Sequence, residues 1–409
     1  MPPRSAPSID IYPTFVPPDV EIDALNRKLP EIAGRLGLGA IRGAWLPDGF
    51  YGLELPRERR QRVDFEALNV PKIDAAIPWL MGIQNDGKVL IRDVADMPHL
   101  LVAGTTGAGK SNAVSAALAW LFKYKTPQDV RVMLLDPKQT DLLPFASVPH
   151  VFQHVPKLDD MPTALEILVN EMHRRYKMFA KSGARDFTGY KGEQIPRILC
   201  VVDELALIMD DPKIKKPFEV SLYPLLQAAR AAGIHMIVAT QRPDTKVLST
   251  RLKGNLPWRI CFRVLNHYDS EVVMNDGSAA GLLGQGDGLL RDSVSPSPIR
   301  FQAPYLSDDA LAAVIKTASK HDAGDWQLEG AADVVSIPED LPDVDKAKIL
   351  IQRLDYVSTK DLLDANICNS RSQAKKVLKQ LRNNGFIGGY QAAIGKSPVT
   401  TKSGSLATP

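Results

Sequence analysis

Gly104-Thr105-Thr106-Gly107-Ala108-Gly109-Lys110-Ser111 fits the phosphate-loop pattern G-x-x-x-x-G-K-[ST] at every fixed position. Before it runs Leu100-Leu101-Val102-Ala103, long enough and apolar enough to be a buried strand. After it, the Ala- and Leu-rich stretch from Ala113 to Phe122 is predicted as a helix. Strand, glycine loop and helix together turn a pattern match into a mechanism. Backbone N–H groups of the loop and the helix N-terminus surround phosphates, where the helix dipole favours negative charge. The expected nucleotide contacts are Gly104, Thr105, Thr106, Gly107, Ala108, Gly109, Lys110, Ser111 and Asn112. Within that set Lys110 is expected on the β- and γ-phosphates and the Ser111 hydroxyl on Mg²⁺, so ATP and Mg²⁺ are the expected cofactors.

A second nucleotide element is Ile198-Leu199-Cys200-Val201-Val202-Asp203-Glu204, an apolar strand ending in two acids, the Walker B arrangement. Asp203 is expected in the Mg²⁺ shell and Glu204 as the group that polarises the attacking water. The structural alternative is a strand cap with a solvated carboxylate pair. A third strand, Ile234 to Thr240, ends in Gln241-Arg242-Pro243. At the carboxyl end of a strand beside Walker B, Gln241 reads either as a sensor of the γ-phosphate or as an ordinary strand-end hydrogen bond. Arg230 closes the preceding helix among small residues. It reads either as an arginine finger for a neighbouring subunit's ATP or as a cation on the helix dipole.

Composition is that of a soluble globular chain: 409 residues, 44% hydrophobic and 24% charged. No apolar run approaches the roughly 18 residues of a membrane span, and no signal-peptide core opens the chain, so a cytoplasmic protein is expected. Cys200, Cys261 and Cys368 match no metal spacing, and neither do His150, His154, His173 and His321. Charge is uneven. Residues 342–409 carry eleven Lys/Arg against five Asp/Glu, which makes nucleic acid a candidate partner of that end.

Taken in order, residues 1–18 hold six prolines and are expected as a flexible arm. A small α/β module is predicted over 19–76, with a helix from Glu21 to Leu36, strands near Ala40–Leu46 and Phe50–Leu55, and a basic run Arg57 to Arg62. That run fits either DNA phosphates or a solvated turn. Over 77–320 strands and helices alternate, the signature of a parallel sheet covered on both faces. Core strands are predicted at Val130–Leu135, Ile198–Val202, His235–Ala239 and Arg259–Val264, and long helices at Thr163–Lys181 and Phe218–Ala232. An acidic linker (321–342) leads to a block at 343–400, where three short helices and a hairpin-like end describe a winged helix-turn-helix; 401–409 read as a tail. On its third helix Arg371, Ser372, Lys375, Lys376 and Lys379 are candidate DNA contacts, a solvated basic helix being the alternative.

These residues resemble the FtsK/SpoIIIE family of hexameric double-stranded DNA translocases, from about residue 30 to 400. The likeness is carried by Tyr51-Gly52-Leu53-Glu54-Leu55-Pro56, by Met97-Pro98-His99 leading into the phosphate loop, and by Asp136-Pro137-Lys138. Glu171-Met172-His173-Arg174-Arg175-Tyr176, Ala229 to His235, Ala239 to Pro243 and Leu282 to Asp287 complete it. The resemblance implies an α module, a RecA-like motor and a DNA-recognising winged helix, assembled as a homo-hexamer on duplex DNA. It favours Arg230 as the finger, and it places Lys246, Arg251 and Lys253 in a pore loop.

Departures are specific. Family members carry N-terminal membrane spans that this sequence does not show, which suggests a soluble relative from a mobile element or a motor recruited by a membrane or recombinase partner. His267 and Glu271 stand where the family has Lys and Arg. Ser372, Lys376 and Lys379 align with its base-reading Asn, Arg and Glu, so a different DNA target is expected. Lys246 to Asn255 contains no aromatic residue for base stacking, which argues against a single-stranded DNA pump.

Overall fold

The computed structural model describes residues 3–324 except 39, 47–48, 71–72, 294 and 296. Beyond these it describes 326, 328, 343–344, 346–347, 356–364, 367–368, 370–384, 386–388 and 397–398. The chain divides into two compact units, Met1–Val334 and Val335–Pro409.

The first unit opens with β1 (Arg4–Ser5) and β2 (Ile9–Thr14), followed by α1 (Ile22–Arg35), β3 (Arg42–Trp45) and β4 (Tyr51–Pro56). They form an antiparallel sheet in the order β1-β2-β4-β3. The expected flexible arm is therefore corrected: β2 pairs with β4 from Ile9↔Pro56 to Thr14↔Tyr51. Ile9 and Ile11 are buried while Asp10 and Tyr12 are not, the period-two pattern of a half-buried strand. Six prolines hid that alternation, and Pro13 is accommodated within the β2–β4 pairing, opposite Gly52.

Next come β5 (Pro78–Gln84), β6 (Val89–Asp93), β7 (Leu100–Ala103), α2 (Lys110–Tyr124), β8 (Val130–Leu135), β9 (Val151–Val155) and α3 (Met161–Ser182). They lead to β10 (Arg197–Val202), α4 (Leu205–Asp210), α5 (Pro212–Ala228) and β11 (Ile234–Thr240). The unit then runs through α6 (Thr250–Gly254), β12 (Trp258–Phe262), α7 (His267–Met274), β13 (Asp287–Arg291), β14 (Ile299–Gln302) and α8 (Asp308–Ala318). One ten-stranded sheet results, in the order β6-β5-β14-β13-β12-β7-β11-β10-β8-β9. From β12 to β9 every pairing is parallel; from β12 back to β6 every pairing is antiparallel. The all-parallel expectation holds for one half only.

Strands of the parallel half are buried on both faces, which is why they read as continuous apolar runs. Met133, Cys200, Met236 and Val238 face a core shared with α3 and α5. Val132, Leu134, Val201 and Ile237 face the opposite core, shared with α2 and α8. Helix α2 is apolar nearly all round because it lies inside this second layer. Arg175, fully buried on α3, donates to Glu171 at 2.6 Å, to the Pro196 carbonyl at 2.8 Å and to the Ala232 carbonyl at 3.0 Å. Its fork thereby fixes the 3-10 turn Ala229–Ala232 that carries Arg230.

The expected boundary at residue 76 is also corrected. Phe65 belongs to the core around α2, and Asp64 bridges Tyr305, so the chain enters the large sheet's packing earlier. Between β4 and β14 lies a buried ionic cluster. Arg300 donates to Glu54 at 2.6 Å and to both oxygens of Asp287 at 2.6 and 2.9 Å, and Arg42 reaches Glu54 at 3.0 Å. Burial raises the Glu54 carboxyl, but Arg42 and Arg300 more than offset it, leaving it below its ordinary value.

In the second unit, β15 (Tyr356–Val357) pairs with β16 (Ser397–Pro398), alongside α9 (Thr359–Asp364) and α10 (Arg371–Asn383). Ala374, Val377 and Leu381 of α10 pack with Leu362 and Cys368. All three cysteines are buried and free. The tail, most of the expected linker, most of the first C-terminal helix and most of the hairpin-like end lie outside the described residues.

The buried cluster generates a stability prediction. Arg300→Met leaves Glu54 and Asp287 without their main counter-charge, and the expected loss is about 3–5 kcal/mol by denaturant unfolding. Because the folded Glu54 value is depressed, its contribution is complete above the ordinary value of 4.5 and is lost as pH falls below it. Wild-type stability should therefore decline on acidification through that range, and Arg300→Met should show a shallower decline. An unchanged midpoint would contradict the role given to the cluster.

Candidate nucleotide site

Register brings the motifs together. Thr240 pairs with Ala103, and Val202 pairs with both Val238 and Leu135. β7 and β11 thus end level and β10 ends two residues earlier, and their continuations meet at one edge: the phosphate loop after β7, Asp203-Glu204 after β10, and Gln241 after β11. Ligands in open α/β sheets bind at such carboxyl ends.

The loop needs its glycines for two reasons. Gly107 has φ +78°, a left-handed conformation. Gly109 has φ +101°, and a Cβ there would sit 2.3 Å from the Gly286 nitrogen, so no side chain fits. Gly286 N–H donates to the Ala108 carbonyl at 2.8 Å, so the Leu282–Asp287 stretch braces the loop from behind. Thr105 N–H donates to the Arg263 carbonyl at 3.0 Å, Thr106 Oγ1 to Gln241 Oε1 at 3.0 Å, and Asn112 Nδ2 to the Leu306 carbonyl at 2.9 Å. Ser111 follows Lys110 in the first turn of α2, and the buried Lys110 Nζ donates to the Asp203 carbonyl at 3.0 Å and lies 3.4 Å from Asp203 Oδ1.

Asp203 Oδ2 is buried without a hydrogen-bond partner. Burial pushes this carboxyl up, Asp136 adds to the shift, and Lys110 opposes it. An orphaned carboxylate oxygen beside a phosphate loop suits a cation. Mg²⁺ needs only one or two carboxylates when phosphates and water complete its octahedron, so Asp203, with the Ser111 hydroxyl, would be the residues to hold it. Among the described residues no group of three His, Cys, Asp or Glu gathers as a metal cage.

Glu204 is almost fully buried and richly hydrogen-bonded. Thr240 Oγ1 donates to its Oε1 at 2.9 Å, Gln241 N–H lies 3.0 and 3.2 Å from its two oxygens, and Lys138 Nζ reaches Oε2 at 2.8 Å. Burial raises this carboxyl, and the Lys138 and Gln241 bonds hold it below its ordinary value. Lys138 was visible in the sequence only as part of a shared motif, with no partner assigned.

The cavity at this edge encloses about 500 Å³, and its outer wall is made by residues that carried no nucleotide signal: Ser8, the Arg60–Val63 segment and Gln302–Tyr305. The Arg60–Arg62 part of the basic run thus lines this cavity while staying exposed. Arg62 pairs with Asp64 at 2.6 Å and stacks on the Tyr305 ring, while Arg60 donates to the Leu283 carbonyl at 3.0 Å.

The remaining expected residues lie elsewhere. Arg230 is exposed at the entry side of β11, away from the strand ends, and its Nε is 3.4 Å from the Ala95 carbonyl. Lys246 and Arg251 are exposed and Lys253 partly buried in the segment after Pro243; Arg251 stacks on Tyr223. Tyr268 of α7 lies 3.5 Å from Thr245, so two aromatic side chains, Tyr223 and Tyr268, do adjoin this segment. His267 and Glu271 face each other at 3.2 Å. In the second unit Arg371, Ser372, Lys375, Lys376 and Lys379 are exposed on α10, opposite its buried face. Arg382, by contrast, is tied to Gly388 and Ser397.

Comparison with known proteins finds the FtsK/SpoIIIE family over residues 71–195 and 188–245. The DNA translocase FtsK of Pseudomonas aeruginosa is 33% identical over 354 residues, covering 77% of this chain and 42% of that protein. Its counterpart in Bacillus anthracis is 32% identical over 375 residues, covering 84% of this chain and 45% of that protein. The chain thus spans less than half the length of these two relatives. Among solved structures, the pCW3 conjugation coupling protein TcpA, a monomer with ATPγS, aligns with TM-score 0.57 and 23% identity over 78% of this chain and 92% of that one. The cytoplasmic domain of the Thermomonospora curvata type VII secretion ATPase EccC aligns with TM-score 0.56 and 22% identity over 70% of this chain and 35% of that one. Both show a shared α/β fold. Among the described residues no helix is long and apolar enough to cross a membrane.

The orphaned oxygen generates the prediction for this site. Wild type is expected to melt higher with an ATP analogue and Mg²⁺ than with the analogue and a chelator, a ligand at a hundredfold over its Kd adding about 2.7 kcal/mol. Asp203→Asn should keep the nucleotide-only increment and lose the metal-dependent one. An undiminished metal increment in the variant would contradict the assignment.

Proposed function

The chain belongs to the FtsK/SpoIIIE family, and from that premise we propose that it is an ATP-hydrolysing motor that moves double-stranded DNA. The observation that carries the proposal is the convergence of phosphate loop, Asp203-Glu204 and Gln241 at one sheet edge, with a basic segment following Gln241 directly. Lys110 and the loop N–H groups hold the phosphates. Ser111 and Asp203 would hold Mg²⁺, which when bound would neutralise phosphate charge. Glu204 orients the attacking water and takes its proton as the bond to the γ-phosphorus forms and the bond to the leaving ADP oxygen breaks. Gln241, hydrogen-bonded to Thr106 of the phosphate loop, reports the change to the residues after it.

Arg230 has no place in its own subunit's site. Its exposed position suits an arginine finger supplied to a neighbour, and with it a homo-hexameric ring of RecA-like domains. Lys246, Arg251 and Lys253 would track phosphates in the pore. The C-terminal unit is read as a winged helix with α10 as recognition helix, since its five candidate contacts share an exposed side while Ala374, Val377 and Leu381 are buried. Lysines in place of a base-reading Arg and Glu give it a DNA preference of its own.

Steady-state ATPase rate against duplex length tests the reading. Turnover is expected to rise with length and to be lost in Glu204→Ala. Duplex binding with turnover indifferent to length would instead describe a regulator whose ATP switches assembly. For α10, Lys375→Ala and Lys379→Ala should each weaken duplex binding and lower the salt slope by about one unit per lost phosphate contact. A slope unchanged in both variants would remove α10 from the interface.

A further inference from the structure

We infer that Lys138 is a brake on Glu204, holding it away from water until duplex DNA engages the segment after β11; this rests on the motor reading above. A carboxylate offers about four acceptor positions. Here each Glu204 oxygen has two short polar contacts: Oε1 with Thr240 Oγ1 and the Gln241 N–H, Oε2 with that N–H and Lys138 Nζ. A general base has to come within hydrogen-bond reach of the water it deprotonates, and a carboxylate engaged in this way is not poised to receive one.

Of the three donors, Lys138 is the one built to leave. Thr240 belongs to a buried strand end, and the Gln241 N–H moves only with its backbone. Lys138 is a long side chain, 24% exposed, on the turn after β8. That turn is firm: buried Asp136 accepts from Gln139 N–H at 2.9 Å, and Gln139 takes φ +55°. The base of the lysine is therefore fixed while its tip can swing.

The release path is short and closed. Arg242 comes directly after Gln241 and pairs with Asp210, the last residue of α4, the helix that starts directly after Glu204. The same guanidinium reaches Asp244 at 3.2 Å, and Asp244 accepts from the N–H groups of Lys246 and Val247 at 2.9 and 3.0 Å. A pull on the basic segment 244–255 thus arrives at Glu204 from two sides, through Thr240 and Gln241 and through Arg242, Asp210 and α4. Shifting the carboxylate by this route stretches its bond to Lys138, whose own turn lies on a different strand.

The test is ATP turnover with and without duplex DNA for wild type, Lys138→Met, Lys138→Arg and Glu204→Ala. Lys138→Met should raise DNA-free kcat by about fivefold or more, equivalent to about 1 kcal/mol of barrier, with ATP KM changed less than about twofold. Its DNA-stimulated rate should stay near that of wild type, so the stimulation ratio collapses, and Lys138→Arg, which keeps a cation on Glu204, should restore it. Thermal melting with an ATP analogue should show undiminished nucleotide binding; Lys138→Gln replaces Lys138→Met if the latter does not fold. A fall in both rates makes Lys138 a contact of the reacting phosphate and overturns the brake. An unchanged ratio makes the pair structural and overturns it equally. Turnover that survives in Glu204→Ala, or wild-type turnover indifferent to duplex, overturns the underlying motor reading instead.

Discussion

Parallel register among β7, β11 and β10 is the constraint on which the rest depends. Hydrogen bonding fixes Ala103 beside Thr240 and Val202 beside Val238 and Leu135. Because each of these strands is buried on both faces, a slip of one residue would exchange its two sets of apolar side chains between different cores. The register is therefore set by packing, and its by-product is chemical: lysine, two carboxylates, a hydroxyl and an amide meet where the strands run out. The geometry of this edge is inherited from the core.

A second constraint closes the site from outside. The N-terminal sheet is attached by buried charges on Glu54, Arg300 and Asp287, an arrangement that tolerates little sliding because these side chains are almost wholly removed from water. That attachment brings the segment Arg60–Val63 to the wall of the cavity. On the proposed reading, two features adjoin the nucleotide: a cavity wall borrowed from the module, and the hold of Lys138 on Glu204.

How much of the molecule was legible in the sequence depends on how local each signal is. The phosphate loop is eight contiguous residues whose geometry is dictated by its own glycines, and Val130–Leu135 reads directly because a doubly buried strand is simply an apolar run. The antiparallel half was not legible. Asp287–Arg291 and Ile299–Gln302 are short and carry charges that belong indoors only because Glu54, 246 residues from Arg300, is there to meet them. Strand β2 was masked by prolines, although its four-residue alternation was present. Lys138 and Arg62 illustrate the same limit at the site: each residue was in plain view, but its partner is supplied by another part of the chain, and no spacing encodes it.

The central claim is that turnover at this edge is converted into movement along duplex DNA. Displacement of a triplex-forming strand from a long duplex, measured in the presence of ATP and of a non-hydrolysable analogue, tests it most directly. The account predicts displacement that requires hydrolysis, begins later as the triplex is placed farther from the loading end, and disappears in Glu204→Ala. ATP consumption on the same duplex with the triplex left in place would contradict it.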